Sequence, residues 1–144
     1  RSSGLDRLQT EVAAAYSERM KTLMLTVAVA ALGLCGSATA QMVPIEWDAS
    51  GQFSKEVAIA PGKFVEACEK LPKGAKVAWS FEAPSHLDFN IHFHEGKQVR
   101  FPAKKNQVAK DAGTLNTKVE QDYCWMWTNK GAAETTLNLK LTKG

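Results

Sequence analysis

The chain has 144 residues, with 18 Lys or Arg against 15 Asp or Glu, and a net charge of +3 when histidines are neutral. After residue 40 its basic residues are scattered, apart from Lys104-Lys105, so the clustered basic face that nucleic acid requires is not expected. The P-loop, dinucleotide and nucleophile-elbow fingerprints are absent, and no glycosidase-type pair of carboxylates can be picked out, so catalysis is not expected.

Residues 1–19 precede a plausible start at Met20 and read as an upstream extension outside the fold. Residues 20–40 have the three parts of a secretory signal peptide. Lys21 supplies the basic start, Leu23 to Leu34 the apolar run, and Ala38-Thr39-Ala40 the small residues before a cut ahead of Gln41. The apolar run is about a dozen residues, short of the roughly 20 needed to span a bilayer. Leu34, where a small residue is wanted, argues against lipidation at Cys35. A periplasmic or secreted protein is expected, with residues 41–144 as one domain. That domain has 14 basic and 12 acidic residues, a net charge of +2.

Within it, polar and apolar residues alternate over short runs broken by turn residues. Phe53 to Ala60 and Lys63 to Leu71 flank Pro61-Gly62. Ala75 to Phe81 puts Val77, Trp79 and Phe81 on one face. Leu87 to His94 puts Leu87, Phe89, Ile91 and Phe93 on one face and Asp88, Asn90, His92 and His94 on the other. Glu95-Gly96-Lys97 reads as a tight turn, and Gln98 to Phe101 as a return strand with Val99 and Phe101 inward, ended by Pro102. Lys104 to Asn116 is irregular and reads as a loop. Tyr123 to Thr128 sets Tyr123, Trp125 and Trp127 against Cys124, Met126 and Thr128. After Asn129-Lys130-Gly131, Thr135 to Leu141 turns Leu137, Leu139 and Leu141 inward. Seven or eight short strands separated by turns predict an all-β fold, an antiparallel β-sandwich.

With Cys35 removed in the leader, Cys68 and Cys124 remain as an even pair in an exported domain, and one disulfide is expected. It would close a loop of about 56 residues, worth roughly 4 kcal/mol in the chain-entropy account. The alternative is a thiol-based metal or redox site, which needs both cysteines reduced.

The run Val77-Ala78-Trp79-Ser80-Phe81, then Asp88-Phe89-Asn90-Ile91 with a following phenylalanine, a loop at Gly113, and Tyr123-Cys124-Trp125-Met126-Trp127-Thr128-Asn129 together resemble the GOLD domain of p24-type proteins. The likeness covers roughly Val65 to Leu141. It implies a compact, jelly-roll-like β-sandwich that binds proteins or lipids without catalysis, and a disulfide between an early and a late strand, which Cys68 and Cys124 would supply. No coiled coil, membrane-spanning helix or cytoplasmic tail is expected here, unlike in that family, so its vesicle-cargo role is not carried over.

All three histidines, His86, His92 and His94, lie within nine residues. His92 and His94 are two apart on a strand and so project from one face. Two imidazoles at fixed spacing suit copper or zinc, and copper is preferred because nearby thioethers suit both of its redox states. Thioether candidates are Met42 and Met126, and His86 is a candidate third ligand. The competing reading is a solvent-facing polar strand with no special role. Trp79 and at least one of Trp125 and Trp127 are expected in the core, while exposed Trp47 and Trp127 would make a stacking surface. The expected function is metal binding, for carriage or tolerance. The alternative is a module that binds a periplasmic protein or ligand without metal or catalysis.

Overall fold

Apolar and polar residues alternate along most of the strands, so one face of these strands leaves water and the other does not. The computed structural model describes residues 40–144, and the expected extension and leader up to residue 39 lie outside the described residues. The strands are β1 (Gln41–Pro44), β2 (Gln52–Ile59), β3 (Phe64–Leu71), β4 (Lys76–Glu95), β5 (Gln98–Asn116), β6 (Gln121–Thr128) and β7 (Thr135–Lys143). There is no helix among the described residues, and therefore none long and apolar enough to cross a membrane. The fold is all-β, as the alternation predicts.

The hydrogen-bonded order is β1-β3-β6-β4-β7-β2, with β5 running along the other side of β4. The sheet curls over because β4 serves two neighbours on one side. Its first half, Val77 to Glu82, pairs with β7, and its second half, Asp88 to His92, pairs with β6. All pairings are antiparallel except that of β1 with β3, which is parallel. The expectation of a purely antiparallel sandwich is corrected at that one short edge strand.

The two strands expected at Ala75–Phe81 and Leu87–His94 are one continuous strand. Between Glu82 and Leu87 the pairing with β5 shifts register, so that four residues of β4 pass only Ala109 of β5. Such inserted residues bend a strand without ending it. Lys104 to Asn116, expected to be a loop, is most of β5. Its lysines and polar residues hide the alternation because β5 is an exposed edge strand, where charge discourages pairing with other chains.

A second irregularity falls where Leu87 pairs with Val108 but Phe89 with Lys105, leaving Asn106 and Gln107 against Asp88. Gln107 takes a positive φ of 54° there. The Asp88 carboxylate holds this bulge, with Oδ1 accepting from the Gln107 backbone N–H at 3.0 Å and from Nε2 at 2.9 Å. A third shift, between Ile91 and Phe93, puts Arg100 opposite Phe93 and Ala103 opposite Ile91. It turns Val99 and Phe101, expected to face inward, out to 42% and 48% exposure.

Inside the curl lie Val65, Ala67, Trp79, Phe81, Leu87, Phe89, Ile91, Tyr123, Trp125, Trp127 and the leucines of β7. Phe81, Phe89 and Trp127 pack with ring centroids 4.8–5.7 Å apart. Burying each large side chain contributes about 1.5–3 kcal/mol. The turn after β6 is closed by buried Asn129, whose Nδ2 donates to the carbonyls of Ile59 and Ala133, both at 2.8 Å. Trp127 is buried and so forms no stacking surface. Trp47 donates from Nε1 to Glu69, with Lys143 over its ring.

Trp79 lies across its register partner Gly113, where an added Cβ would stand 2.6 Å from Cζ2 of the indole. Gly113→Ala should therefore destabilise the domain by about 1–3 kcal/mol, read as a lower midpoint in chemical denaturation. An unchanged midpoint would show that Trp79 does not rest on this glycine.

Candidate functional site

The outer face of the β3-β6-β4 part of the sheet is a grid set by register. One row runs Met42, Glu66, Met126, Asn90, and the next Pro44, Cys68, Cys124, His92. Residues of one row face the same way and stand about 4.5–5.5 Å apart at Cβ on neighbouring antiparallel strands. The inward residues between them, Val65, Ala67, Trp125, Trp127, Phe89 and Ile91, are core. Packing of the inner face thus dictates which side chains meet on the outer one.

Cys68 and Cys124 are direct register partners and form a disulfide. The expected pairing is therefore present. It lies on the outer face, with both cysteines half-buried.

His92 is the one buried histidine, at 7% exposure. Its Nδ1 lies 2.8 Å from Asn90 Oδ1. With that carbonyl as acceptor, Nδ1 carries the proton and Nε2 presents a lone pair, the arrangement that orients imidazole ligands in metal sites. The His94 ring stands against it edge-on, at 5.5 Å between centroids, and the Phe101 ring at 6.1 Å. Phe101 reaches this position because of the register shift described above, and it shields His92 from water. Burial is the main cause that pushes the His92 pKa down; the Glu66 charge opposes this and His94 adds to it.

Nε2 of His92 faces Oε1 of Glu66 at 3.5 Å, with both side chains largely shielded from solvent. With Nε2 protonated the two groups form an ion pair; with Nε2 as a lone pair they repel each other across a partly desolvated gap unless a cation lies between them. An ion about 2.05 Å from each atom would subtend an angle of about 117°, between the tetrahedral and trigonal values, so the spacing admits two ligands on one ion as well as a direct ion pair. Met126 stands between Glu66 and Asn90 in the same row and brings a thioether to this face.

The structure thus sets His92 beside His94 and against Glu66, and puts Met126 on the same outer face in the neighbouring row. It does not bring His86 to them. His86 is exposed in the bend of β4, six residues before His92, a separation of roughly 20 Å along an extended strand. The expectation of His86 as third ligand is corrected for that reason. Asp88, on the same strand face, is committed elsewhere. It pairs with Lys130 and holds Gln107, and the Lys130 contact is the main cause that lowers its pKa. Among the described residues no three His, Cys, Asp or Glu side chains converge as a metal site. What is present is a His–Glu pair with a thioether and a second imidazole beside it.

Glu66 was not singled out in the sequence, although a signal existed. If Cys68 lies opposite Cys124 on antiparallel strands, the residue two before Cys68 must lie opposite Met126.

No protein-family model matches the chain, and no curated protein matches it in sequence. Solved structures with a similar fold include the periplasmic inhibitor of g-type lysozyme, PliG, from Aeromonas hydrophila, at 11% identity. It covers 74% of this chain and 98% of that one, with a TM-score of 0.56. PliG from Salmonella Typhimurium aligns at 11% identity over 74% and 100% of the two chains, with a TM-score of 0.57. CorA of Methylomicrobium album BG8, a surface-associated copper-binding protein important in copper acquisition, aligns at 9% identity over 74% and 100%, with a TM-score of 0.52. At these identities the likeness shows a shared fold.

Because the Glu66 charge raises the His92 pKa against the effect of burial, Glu66→Gln should move it further down. A titration of the His92 ring protons by NMR checks the sign. A midpoint that stays in place or rises would place Glu66 too far from the ring to act on it.

Proposed function

We propose that this chain is an exported, periplasmic metal-binding protein that works by binding rather than catalysis. Its ion, copper in preference to zinc, sits between His92 Nε2 and Glu66 Oε1, with Met126 and His94 alongside. The observation that carries the reading is the 3.5 Å gap between the imidazole nitrogen and the carboxylate oxygen, with Asn90 holding the other ring nitrogen. Imidazole with a thioether suits copper in both redox states. A copper-binding protein among the structures of similar fold is in keeping with this. The role is metal carriage or tolerance, because no group placed to do chemistry on a second substrate accompanies the pair among the described residues.

Titration calorimetry of the disulfide-bonded protein with Cu2+ and with Zn2+ tests the proposal. One equivalent should bind at about micromolar or tighter, roughly 8 kcal/mol. His92→Ala and Glu66→Gln should each weaken binding by roughly tenfold or more without changing the far-ultraviolet spectrum. Equal isotherms for the native protein and His92→Ala would contradict it.

A second reading is favoured by one feature. A cleft of about 780 Å³ opens between the two ends of β5, with Trp79, Phe93, Leu115 and Tyr123 inside and Phe101 and Val119 on its rim. Phe101 and Val119 are 48% and 39% exposed. On this reading the chain is a protein- or ligand-interaction module of GOLD-like type with no metal. The similar structures that inhibit g-type lysozyme are in keeping with a protein partner. Partner capture that survives His92→Ala and fails with Phe101→Ser/Val119→Ser would favour it over the metal site.

A further inference from the structure

We propose that Cys68 and Cys124, once reduced, join His92 in a thiolate site for a soft monovalent cation, Cu+, so that the disulfide is a latent part of the metal site. This rests on the His92–Glu66 reading and extends it. Three observations support it.

The first is placement. Cys124 is the register partner of His92, Cys68 is the partner of Cys124, and Glu66 lies two residues before Cys68 on the same face. Opening the disulfide therefore frees two sulfurs beside the imidazole already oriented by Asn90. The second is access. Both cysteines are half-buried on the outer face rather than in the core, the side from which the thiol–disulfide exchange that opens the bridge would come. The third is tolerance of the fold. The core lies on the opposite face of β3 and β6, and the pairing of these strands extends on both sides of the bridge, from Phe64↔Thr128 to Leu71↔Gln121.

The chemistry balances as follows. A dithiol reductant supplies two electrons and two protons. The Sγ–Sγ bond breaks to give two thiols, and the dithiol closes to its own disulfide. When Cu+ binds, the two thiol protons leave to solvent, and the two thiolates and His92 Nε2 become the ligands. Thiolates select Cu+ over harder ions, whereas the oxidised face offers only imidazole, carboxylate and thioether. The two states of one face would thus hold the two redox states of copper with different strength.

The test is competition for Cu+ against a chromophoric Cu+ chelator under anaerobic conditions. The native protein is compared before and after reduction by a phosphine that is then removed. Reduction should tighten Cu+ binding at least 100-fold. Cys68→Ser/Cys124→Ser should bind like the oxidised protein under both treatments, and His92→Gln should lose most of the gain. No tightening on reduction, or a full gain in His92→Gln, would overturn the proposal. So would a loss of the near-ultraviolet spectrum on reduction that Cu+ does not restore. Zn2+ binding by the oxidised protein is scored separately, so failure of the His92–Glu66 pair and failure of the thiolate extension are distinguishable.

Discussion

One strand, β4, is hydrogen-bonded to three others, and its bend at Ala83 to His86 lets a single run of sequence contribute to both halves of the curled sheet. Its inward residues Trp79, Phe81, Leu87, Phe89 and Ile91 are all buried. Because side chains alternate with a period of two, a slip of one residue against β6 would carry these aromatics into water. The cost of exposing them, at about 25 cal/mol per Å² of apolar surface, holds the register. That same register fixes which residues stand side by side on the other face.

The outer grid follows from this. Hydrophobic packing on one side brings His92 beside the disulfide, and Glu66 beside Met126. Local polar contacts then do the fine placement. Asn90 holds one ring nitrogen, and Phe101, turned outward by an irregular register, covers the ring. With Asn90 as acceptor, the other ring nitrogen faces a carboxylate. In bulk water that pairing would carry little energy; with both groups largely shielded, the charge state between them matters more. The fold itself does not decide the matter, since structures of similar fold include lysozyme inhibitors and a copper-binding protein.

Much of this was legible in the sequence. The alternation from Leu87 to Phe93 and from Tyr123 to Trp127 assigns the buried and outer faces as the structure has them, and the pair Cys68 and Cys124 anticipates the disulfide. What was not legible is what depends on irregular register. Ala83-Pro84-Ser85-His86 reads as a break because proline and serine mark turns, yet here it is a bend within a strand. The polar stretch from Lys104 reads as loop because an edge strand needs no apolar alternation. Phe101 follows strict alternation inward, and only the extra residue of β5 opposite His92, between the Ile91 and Phe93 pairings, turns it out. Glu66 carries no motif of its own; its role arises from where β3 lies against β6.

An ion held between His92 and Glu66 would be read at the imidazole nitrogens by long-range proton–nitrogen NMR, with Zn2+ as a diamagnetic probe. A neutral ring with the proton on Nδ1 at neutral pH is expected, with a large change at Nε2 alone when one equivalent of Zn2+ is added, lost in Glu66→Gln. A ring protonated on Nε2, or one whose nitrogens do not respond to Zn2+, would contradict it.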